Sequence, residues 1–293
     1  MRIKRFLKLF LMLALLPQMA SAATFVVDGL CYDINPDGKS VRVSKENASL
    51  SGALRIPESV TLDGKAYPVT MVAMSAFSRC AALTSVTIPT SVTKIKPRAF
   101  EGCTALTSVT IPATVTEIGN GAFAGCAGLT AVELPAELKE IGPDAFKGCT
   151  GLFSVTLPEA LNGVGSSAFE GCTGLSSVTF PASLKEIGAS AFKDCVGLTA
   201  VSLPAKLNKI GERAFAGTGL TEVTLPEKVK KIGERAFDGC EVLESVRCEA
   251  LTPPQGDDRM FPRAITIYVD PSSFYTYNYE SYWQDYNIKP FQE

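Results

Sequence analysis

Apolar residues recur along the chain at a fixed spacing of 23 residues, and this spacing predicts a stack of similar coils. An Ala-Phe pair marks each unit: it ends at Phe77 and at every twenty-third residue up to Phe215, and one residue is missing before Phe237. Because equivalent positions lie above one another when coils stack, the phenylalanines should form one buried internal column. The pattern therefore predicts a repeat solenoid.

Three short arms can be distinguished within each unit. The first, such as Leu83 to Ile88, has the strand pattern Leu-x-x-Val-x-(Ile/Leu), which ends in apolar–polar alternation, and a proline such as Pro89 follows it. Proline has no N–H for the next bond of a parallel ladder, so the chain must leave the sheet there. A second alternating arm and a short helical or 3-10 turn around the Ala-Phe pair complete the coil. We expect about eight coils with a parallel β-sheet, roughly 38 Å long.

The first 22 residues have the pattern of an export signal, with four basic residues, a short apolar run and the small-residue cleavage site Ala20-Ser21-Ala22. No stretch reaches the ~20 apolar residues that a membrane helix needs, so no transmembrane segment is expected in the mature chain. Without the signal the chain has 24 basic and 30 acidic residues, a net charge of −6 that disfavours nucleic acid as a partner. The predicted regions are the signal at 1–22, an N-terminal cap at 23–53, the solenoid at 54–247 and an aromatic C-terminal cap at 248–293.

The repeats between residues 54 and 246 resemble the BspA-type branch of the leucine-rich-repeat family, which occurs in secreted and surface proteins of anaerobic, often host-associated bacteria. The period of 23 also lies within the 20–29 residues typical of leucine-rich repeats. The flanking residues Gly64, Tyr67 and Pro68, the pair Pro253-Pro254 and the pair Tyr282-Trp283 resemble the caps of that family. The resemblance implies adhesion to host matrix proteins or to other bacteria, and its motif fixes no ligand residue.

Seven of the nine cysteines, from Cys80 to Cys195 and Cys240, occupy one repeat position and should stack in a column. Neighbouring Cβ atoms would lie roughly 4.8 Å apart, beyond the usual ~3.5–4.5 Å of a disulfide. Cys248 falls at a core position of its coil, and only Cys31 lies outside the repeat pattern. We expect buried thiols that pack as small hydrophobes, rather than a disulfide framework or a metal or redox site.

The chain contains no histidine, which excludes catalytic pairs and metal sites that depend on this residue. Two carboxylates could serve a glycosidase, but Glu117, Glu140, Asp144 and Glu186 lie at varying repeat positions beside lysines, as on an ordinary charged surface. No glycine-rich phosphate loop follows a strand. The sequence predicts neither an enzyme nor a bound cofactor.

On each first-arm strand, the residue between the two inward positions should face solvent. These residues are Thr87, Thr110, Glu133, Thr156, Thr179, Ser202 and Thr224. One interpretation is a binding face of small hydroxyls, with Phe153 as its one aromatic anchor. The other is that threonine has high strand propensity and pairs well with threonine on the next strand, without any ligand.

Six of the eight tyrosines and the only tryptophan lie between Tyr268 and Tyr286. The last coil of a solenoid exposes its apolar end, and these aromatic residues can form the cap that it requires. Tyr275, Tyr277 and Tyr279 alternate in a short run and are also a candidate aromatic patch for stacking on a sugar.

A basic edge occupies the last two full coils. It contains Lys206, Lys209, Arg213, Lys228, Lys230, Lys231 and Arg235. Acidic neighbours reduce the net positive charge of this edge, so it is either a solvated mixed-charge face or a weak site for a polyanion such as a sulfated glycan.

These patterns predict an exported, non-catalytic binding or adhesion module whose partner is an extracellular or cell-surface protein. A structural protein of the cell envelope without a dedicated ligand, and a glycan-binding module, are the alternatives.

Overall fold

A computed structural model describes residues 24–44, 50–257, 259–263 and 265–291, so the predicted export signal lies outside the described residues. The N-terminal part consists of β1 (Thr24–Val27), β2 (Leu30–Ile34), β3 (Val41–Val43), β4 (Ser51–Arg55), β5 (Ser59–Leu62) and β6 (Lys65–Val72). Strands β1, β2 and β3 pair antiparallel, β5 and β6 form a hairpin, and β3 pairs parallel with β6. This part starts two parallel sheets, because β4 and β6 each pair with a strand of the first coil.

Two rows of short parallel strands follow, one for each of the two predicted alternating arms. In chain order they are β7 (Ala82–Thr87), β8 (Lys94–Ile95), β9 (Ser108–Thr110), β10 (Glu117–Ile118), β11 (Glu140–Ile141), β12 (Ser154–Thr156), β13 (Gly163–Val164), β14 (Ser177–Thr179), β15 (Glu186–Ile187), β16 (Lys209–Ile210), β17 (Glu222–Leu225), β18 (Lys231–Ile232) and β19 (Ser245–Cys248). The first-arm row contains β7, β9, β12, β14, β17 and β19, and the others form the second-arm row. Paired strands are one coil apart and in register, with Val86 opposite Val109, so equivalent side chains lie above one another.

The core is the predicted column of phenylalanines, and the structure confirms it. Centroids of consecutive rings from Phe77 to Phe261 are 5.1–5.5 Å apart, and the ring planes differ by 2–15°. Every ring in the column is almost completely buried. Phe261 lies in the region predicted as the C-terminal cap, so the column continues one coil beyond Phe237.

The third arm, around the Ala-Phe pair, is a run of turns with hydrogen bonds of the 3-10 type. The N–H of Cys103 donates to the carbonyl of Phe100, three residues earlier, at 3.2 Å. The residue before the pair has a positive φ, 58° at Arg98, which turns the backbone. This lets the N–H of Phe100 donate to the carbonyl of Ala122 in the next coil at 2.7 Å. Bonds between coils, rather than an extended helix, therefore hold this arm.

Adjacent coils are in close backbone contact at a glycine that follows the second-arm strand. A Cβ added to Gly119 would lie 2.7 Å from the backbone nitrogen of Pro97, closer than atoms can pack. The equivalent glycines Gly142, Gly165, Gly188, Gly211 and Gly233 have the same close contact with the preceding coil. Glycine is required here because backbone lies directly on backbone.

The C-terminal part continues the first-arm row and then closes the end of the stack. It contains β20 (Thr266–Val269), a 3-10 helix (Pro271–Ser273), α1 (Phe274–Tyr279) and β21 (Asn287–Pro290). Strands β19, β20 and β21 pair in parallel, and Trp283 is completely buried, its Nε1–H donating to the carbonyl of Pro254 at 3.0 Å. Within the described ranges, no helix combines the length and the apolar character required to cross a bilayer.

Candidate functional site

All seven residues of the predicted solvent-facing row are exposed, but they do not lie on one continuous sheet. The first-arm strands form three separate sheets: β4-β7-β9, β12-β14 and β17-β19-β20-β21. Thr87 is in register with Thr110, and Thr156 is in register with Thr179. Glu133 and Ser202 lie in segments that do not form strands. The expectation that each of these residues lies on a strand is therefore wrong for these two.

The first interruption has a local cause. In the coil of Glu133 only an isolated bridge, between Ala131 and Ser154, joins the arm to its neighbour. The N–H of Leu157 donates to the carbonyl of Thr179 in the next coil at 2.9 Å. Within residues 50–257, the equivalent backbone bond one coil earlier, from Leu134 to Thr156, is not formed. Alanine has a lower strand propensity than the residues that pack best on a pleated sheet. Both interrupted arms carry alanine at a position where most of the other first arms carry serine.

An open depression lies on the first-arm side where the sheet is interrupted, with a volume of about 870 Å³. We call it the acidic depression. It is lined by Ala131, Val132, Glu133, Leu134, Ala136, Glu137, Ser154, Thr156, Leu157, Pro158, Glu159, Ala160, Thr179, Phe180 and Pro181. Of the predicted residues, Glu133, Thr156 and Thr179 lie in it, and the other four of the row do not.

Sequence reasoning missed the apolar part of this site. Leu134 and Phe180 occupy the position before the strand-ending proline, which was assigned to the core, yet both are only half-buried. Leu157, at the same position of the coil between them, is buried. The sequence signal for the acidic part was present, because Glu133 is the one charged residue of the predicted solvent-facing row, whose other members are threonine or serine.

Phe153 is exposed, with 64% of its surface accessible, and it is not among the residues that line the acidic depression. Its backbone belongs to the coil contacts: its N–H donates to the carbonyl of Thr130 at 3.1 Å, and its carbonyl accepts from the N–H of Ser176 at 2.9 Å. The structure therefore separates Phe153 from the acidic depression.

The three tyrosines of the predicted aromatic patch do not share a surface. They lie on α1, where residues four apart share a side and the residue midway between them points away. Tyr275 and Tyr279 are 72% and 81% exposed, whereas Tyr277 is completely buried. The Tyr277 hydroxyl donates to the carbonyl of Ala250 at 2.7 Å, and burial raises its pKa. Including Tyr277 in the patch was wrong, because alternation in sequence describes a strand and this segment is a helix.

Carboxylates elsewhere on the solenoid are held in ion pairs between coils. Glu170 lies between Lys147 and Lys193, with N···O distances of 3.0 and 3.2 Å. Burial by itself raises the pKa of Glu170, but hydrogen bonds from these lysines outweigh it and hold the pKa below its usual value. Glu117 is paired in the same way with Lys94 and Lys96. These carboxylates are neutralised surface charges.

The basic edge is similarly mixed with acidic groups. Lys209 pairs with Glu186 of the preceding coil, and Arg235 Nε lies 3.4 Å from Glu234 Oε1. Pairing of this kind reduces the positive charge that a polyanion would meet.

The cysteine column lies inside the solenoid beside the phenylalanines, and all nine cysteines are buried thiols. Each column thiol from Cys103 onward bonds to the coil before it: the thiol of Cys172 donates to the carbonyl of Phe146 at 3.1 Å, and that of Cys195 to the carbonyl of Phe169 at 3.1 Å. Burial raises the pKa of Cys172 to about 12. The column therefore satisfies backbone carbonyls in the core, and burial keeps a thiol such as Cys172 in its neutral form.

Comparison with known proteins gives concordant results. Residues 70–199 and 185–261 match the family model of the BspA type leucine rich repeat region, which is present in six copies. A leucine-rich repeat protein from Bacteroides ovatus is 26% identical over 84% of this chain and 70% of its own, with a TM-score of 0.65. A leucine rich cell surface protein from Faecalibacterium prausnitzii is 27% identical over 85% of this chain and 76% of its own, with a TM-score of 0.66.

The leucine-rich repeat protein of T. pallidum is 29% identical over 75% of this chain and 91% of its own, with a TM-score of 0.57. No curated protein sequence matches the chain.

Proposed function

The chain belongs to the BspA type leucine rich repeat family, and from this premise we propose that it is a non-catalytic binding module that recognises a protein partner through its repeat surface. The acidic depression is the observation that carries the proposal. It combines a volume of about 870 Å³, apolar lining residues and polar groups at its edge, which is the composition of a recognition surface.

The absence of histidine from the sequence supports a binding role over a catalytic one, because the most frequent general acid–base residue is not available. Among the surface carboxylates, Glu117 and Glu170 are each engaged by two lysines.

We also propose that the protein is exported and acts outside the cytoplasm, on a protein of the cell surface or of the host matrix. The signal pattern of residues 1–22 and the similarity to a cell surface protein of Faecalibacterium prausnitzii support this location. Sequencing the N-terminus of the protein recovered from its native host should give Ala23 as the first residue. Recovery of a chain that begins at Met1 would contradict export by cleavage.

Binding to an array tests the function directly. Purified protein is applied in a concentration series to immobilised host matrix proteins, bacterial surface proteins and glycans, at low and at high salt. We expect saturable binding to one class of protein that persists at high salt, because apolar contacts are not screened. An absence of binding to every protein on the array would contradict the proposal and favour a structural protein of the cell envelope.

A glycan-binding role is the second candidate, and the exposure of Tyr275 and Tyr279 is what favours it. The two rings lie on one side of α1, where they can stack on a sugar face. In the glycan arm of the array, the double variant Tyr275→Ala/Tyr279→Ala should abolish binding. Phe153→Ala, which removes an exposed ring elsewhere, is the matched control and should leave glycan binding unchanged.

A further inference from the structure

The carboxylates of the acidic depression differ from the others on the solenoid. Glu133, Glu137 and Glu159 are exposed, and none of them forms an ion pair with any residue between 50 and 257. The residues that line the depression include no lysine and no arginine. Three negative charges therefore line one concave surface without a compensating cation among its lining residues, whereas Glu117 and Glu170 each have two lysine partners.

The depression also has an apolar part. Leu134 and Phe180 are half-buried on either side of the buried Leu157, and the ring of Phe180 packs edge-on against core residue Phe192 at 5.6 Å. This contact with the core fixes the orientation of Phe180, so the apolar floor exists before any ligand binds. A pre-formed floor reduces the ordering cost of association.

The geometry points to a specific occupant, and we propose that the acidic depression binds an extended segment of a protein partner in which apolar side chains are flanked by lysine or arginine. This inference rests on the proposed protein-binding function and specifies the chemistry of the partner. The volume of about 870 Å³ can receive more than one side chain, and volumes of about 300–1,000 Å³ are usual for recognition pockets. The apolar residues would occupy the floor, and the cations would lie beside the three carboxylates.

Charge complementarity separates this occupant from the others. A sulfated glycan or a nucleic acid would bring negative charge to a surface that is already negative, which is unfavourable. A neutral apolar segment would fill the floor but would leave the three carboxylates without partners. A basic and apolar segment satisfies both parts of the surface.

Three synthetic heptapeptides labelled with fluorescein provide the probes. The first, Gly-Arg-Leu-Arg-Phe-Arg-Gly, has both features; the second replaces arginine by glutamate, and the third replaces leucine and phenylalanine by serine. Fluorescence polarisation with the intact protein should show saturable binding of the first peptide only. Its binding should weaken as salt is raised, because the carboxylates are exposed.

The triple variant Glu133→Gln/Glu137→Gln/Glu159→Gln tests the location of binding. We expect roughly tenfold weaker binding of the first peptide, since three exposed ion pairs of ordinary strength together give about this factor. The matched control, Glu227→Gln/Glu241→Gln/Glu244→Gln, makes the same change of net charge at exposed residues away from the depression and should bind the peptide normally. Circular dichroism should give the same melting temperature for both variants.

Equal loss of binding in the two variants would overturn the inference, because it would mean that overall charge alone attracts the peptide. Equal binding of the serine peptide would also overturn it, because the apolar floor would then have no role. If the array identifies a protein partner that binds the triple glutamine variant as well as the unmodified protein, the inference fails and the proposed function stands. Tight binding of the first peptide together with an array on which no protein binds would preserve the site and count against the proposed function.

Discussion

Replacing Phe146 by alanine should destabilise the protein by about 3–5 kcal/mol, the usual cost of removing a buried phenylalanine ring. Phe146 is completely buried near the middle of the column, and its ring centroid lies 5.3 Å from that of Phe123 and 5.4 Å from that of Phe169. The substitution leaves a cavity and removes two stacking contacts of about 0.5–1.5 kcal/mol each, which places the expected loss in the upper part of the range.

Urea unfolding measures this loss with two signals. Circular dichroism reports on the strands of the whole solenoid, and fluorescence reports on Trp283, the only tryptophan, which is buried at the C-terminal end. The melting temperature should fall by roughly 6–20 °C. Because coils contact only their neighbours, a defect at the centre should also separate the two unfolding transitions.

Phe153→Ala is the matched control, because it makes the same chemical change at a side chain that is 64% exposed. It should change stability by no more than about 0.5 kcal/mol. The reasoning would be refuted if Phe146→Ala cost less than about 1 kcal/mol, or if the exposed phenylalanine proved as costly as the buried one.

Three further measurements test other parts of the structure. N-ethylmaleimide at pH 8 should leave the native protein unlabelled, because a buried thiol such as Cys172, with a pKa raised to about 12, is a thiolate in only about one molecule in ten thousand. Labelling in guanidinium should reach all nine thiols. Rapid labelling of the native protein would contradict the buried column. Gly119→Ala should lower the free energy of unfolding by about 1–3 kcal/mol, because the new carbon would lie 2.7 Å from the backbone of the preceding coil. Gly163→Ala is the control and should be tolerated, because the nearest atom to its new carbon is at 3.6 Å. Glu170, whose pKa is depressed in the folded protein, should contribute about 1 kcal/mol at neutral pH and lose it as the pH falls through that pKa. The stability difference from Glu170→Gln should therefore shrink as the pH is lowered into the acid range, and a difference that does not change with pH would refute the ion-pair assignment.

The repeated positions could be read from the sequence because one environment recurs in every coil. Phe100 and Cys103 have the same neighbours as their equivalents one coil later, so spacing alone identified both columns. Phe261 escaped detection because it follows Phe237 by 24 residues and is preceded by methionine instead of alanine. Its place in the column depends on how the intervening segment folds back, which no local pattern specifies.

The candidate site was less predictable, because it arises where the repeat is imperfect. The exposure of Glu133 followed from strand alternation. Ala131 was visible in the sequence, but one alanine in place of serine does not by itself predict that the strand is lost. The tyrosine run was misread for a related reason: the local pattern of alternation suggested an extended chain, and only the contacts of Tyr277 with the last coil explain why this segment is helical.

The close backbone contact at the repeated glycines recurs at successive boundaries between coils, and this has a genetic consequence. Unequal recombination between two repeats of the gene would remove or add 23 codons and would join one coil to another with the same contacts. A crossover between the codons for Cys126 and Cys149 would delete the coil that carries Glu133 and Glu137, and Phe123 would then stack on the ring after Phe146 in the column. The product would remain a folded solenoid, shorter by one strand spacing of about 4.8 Å, without most of the acidic depression. Variation in coil number would thus alter the surface that we propose for recognition while the solenoid fold is kept.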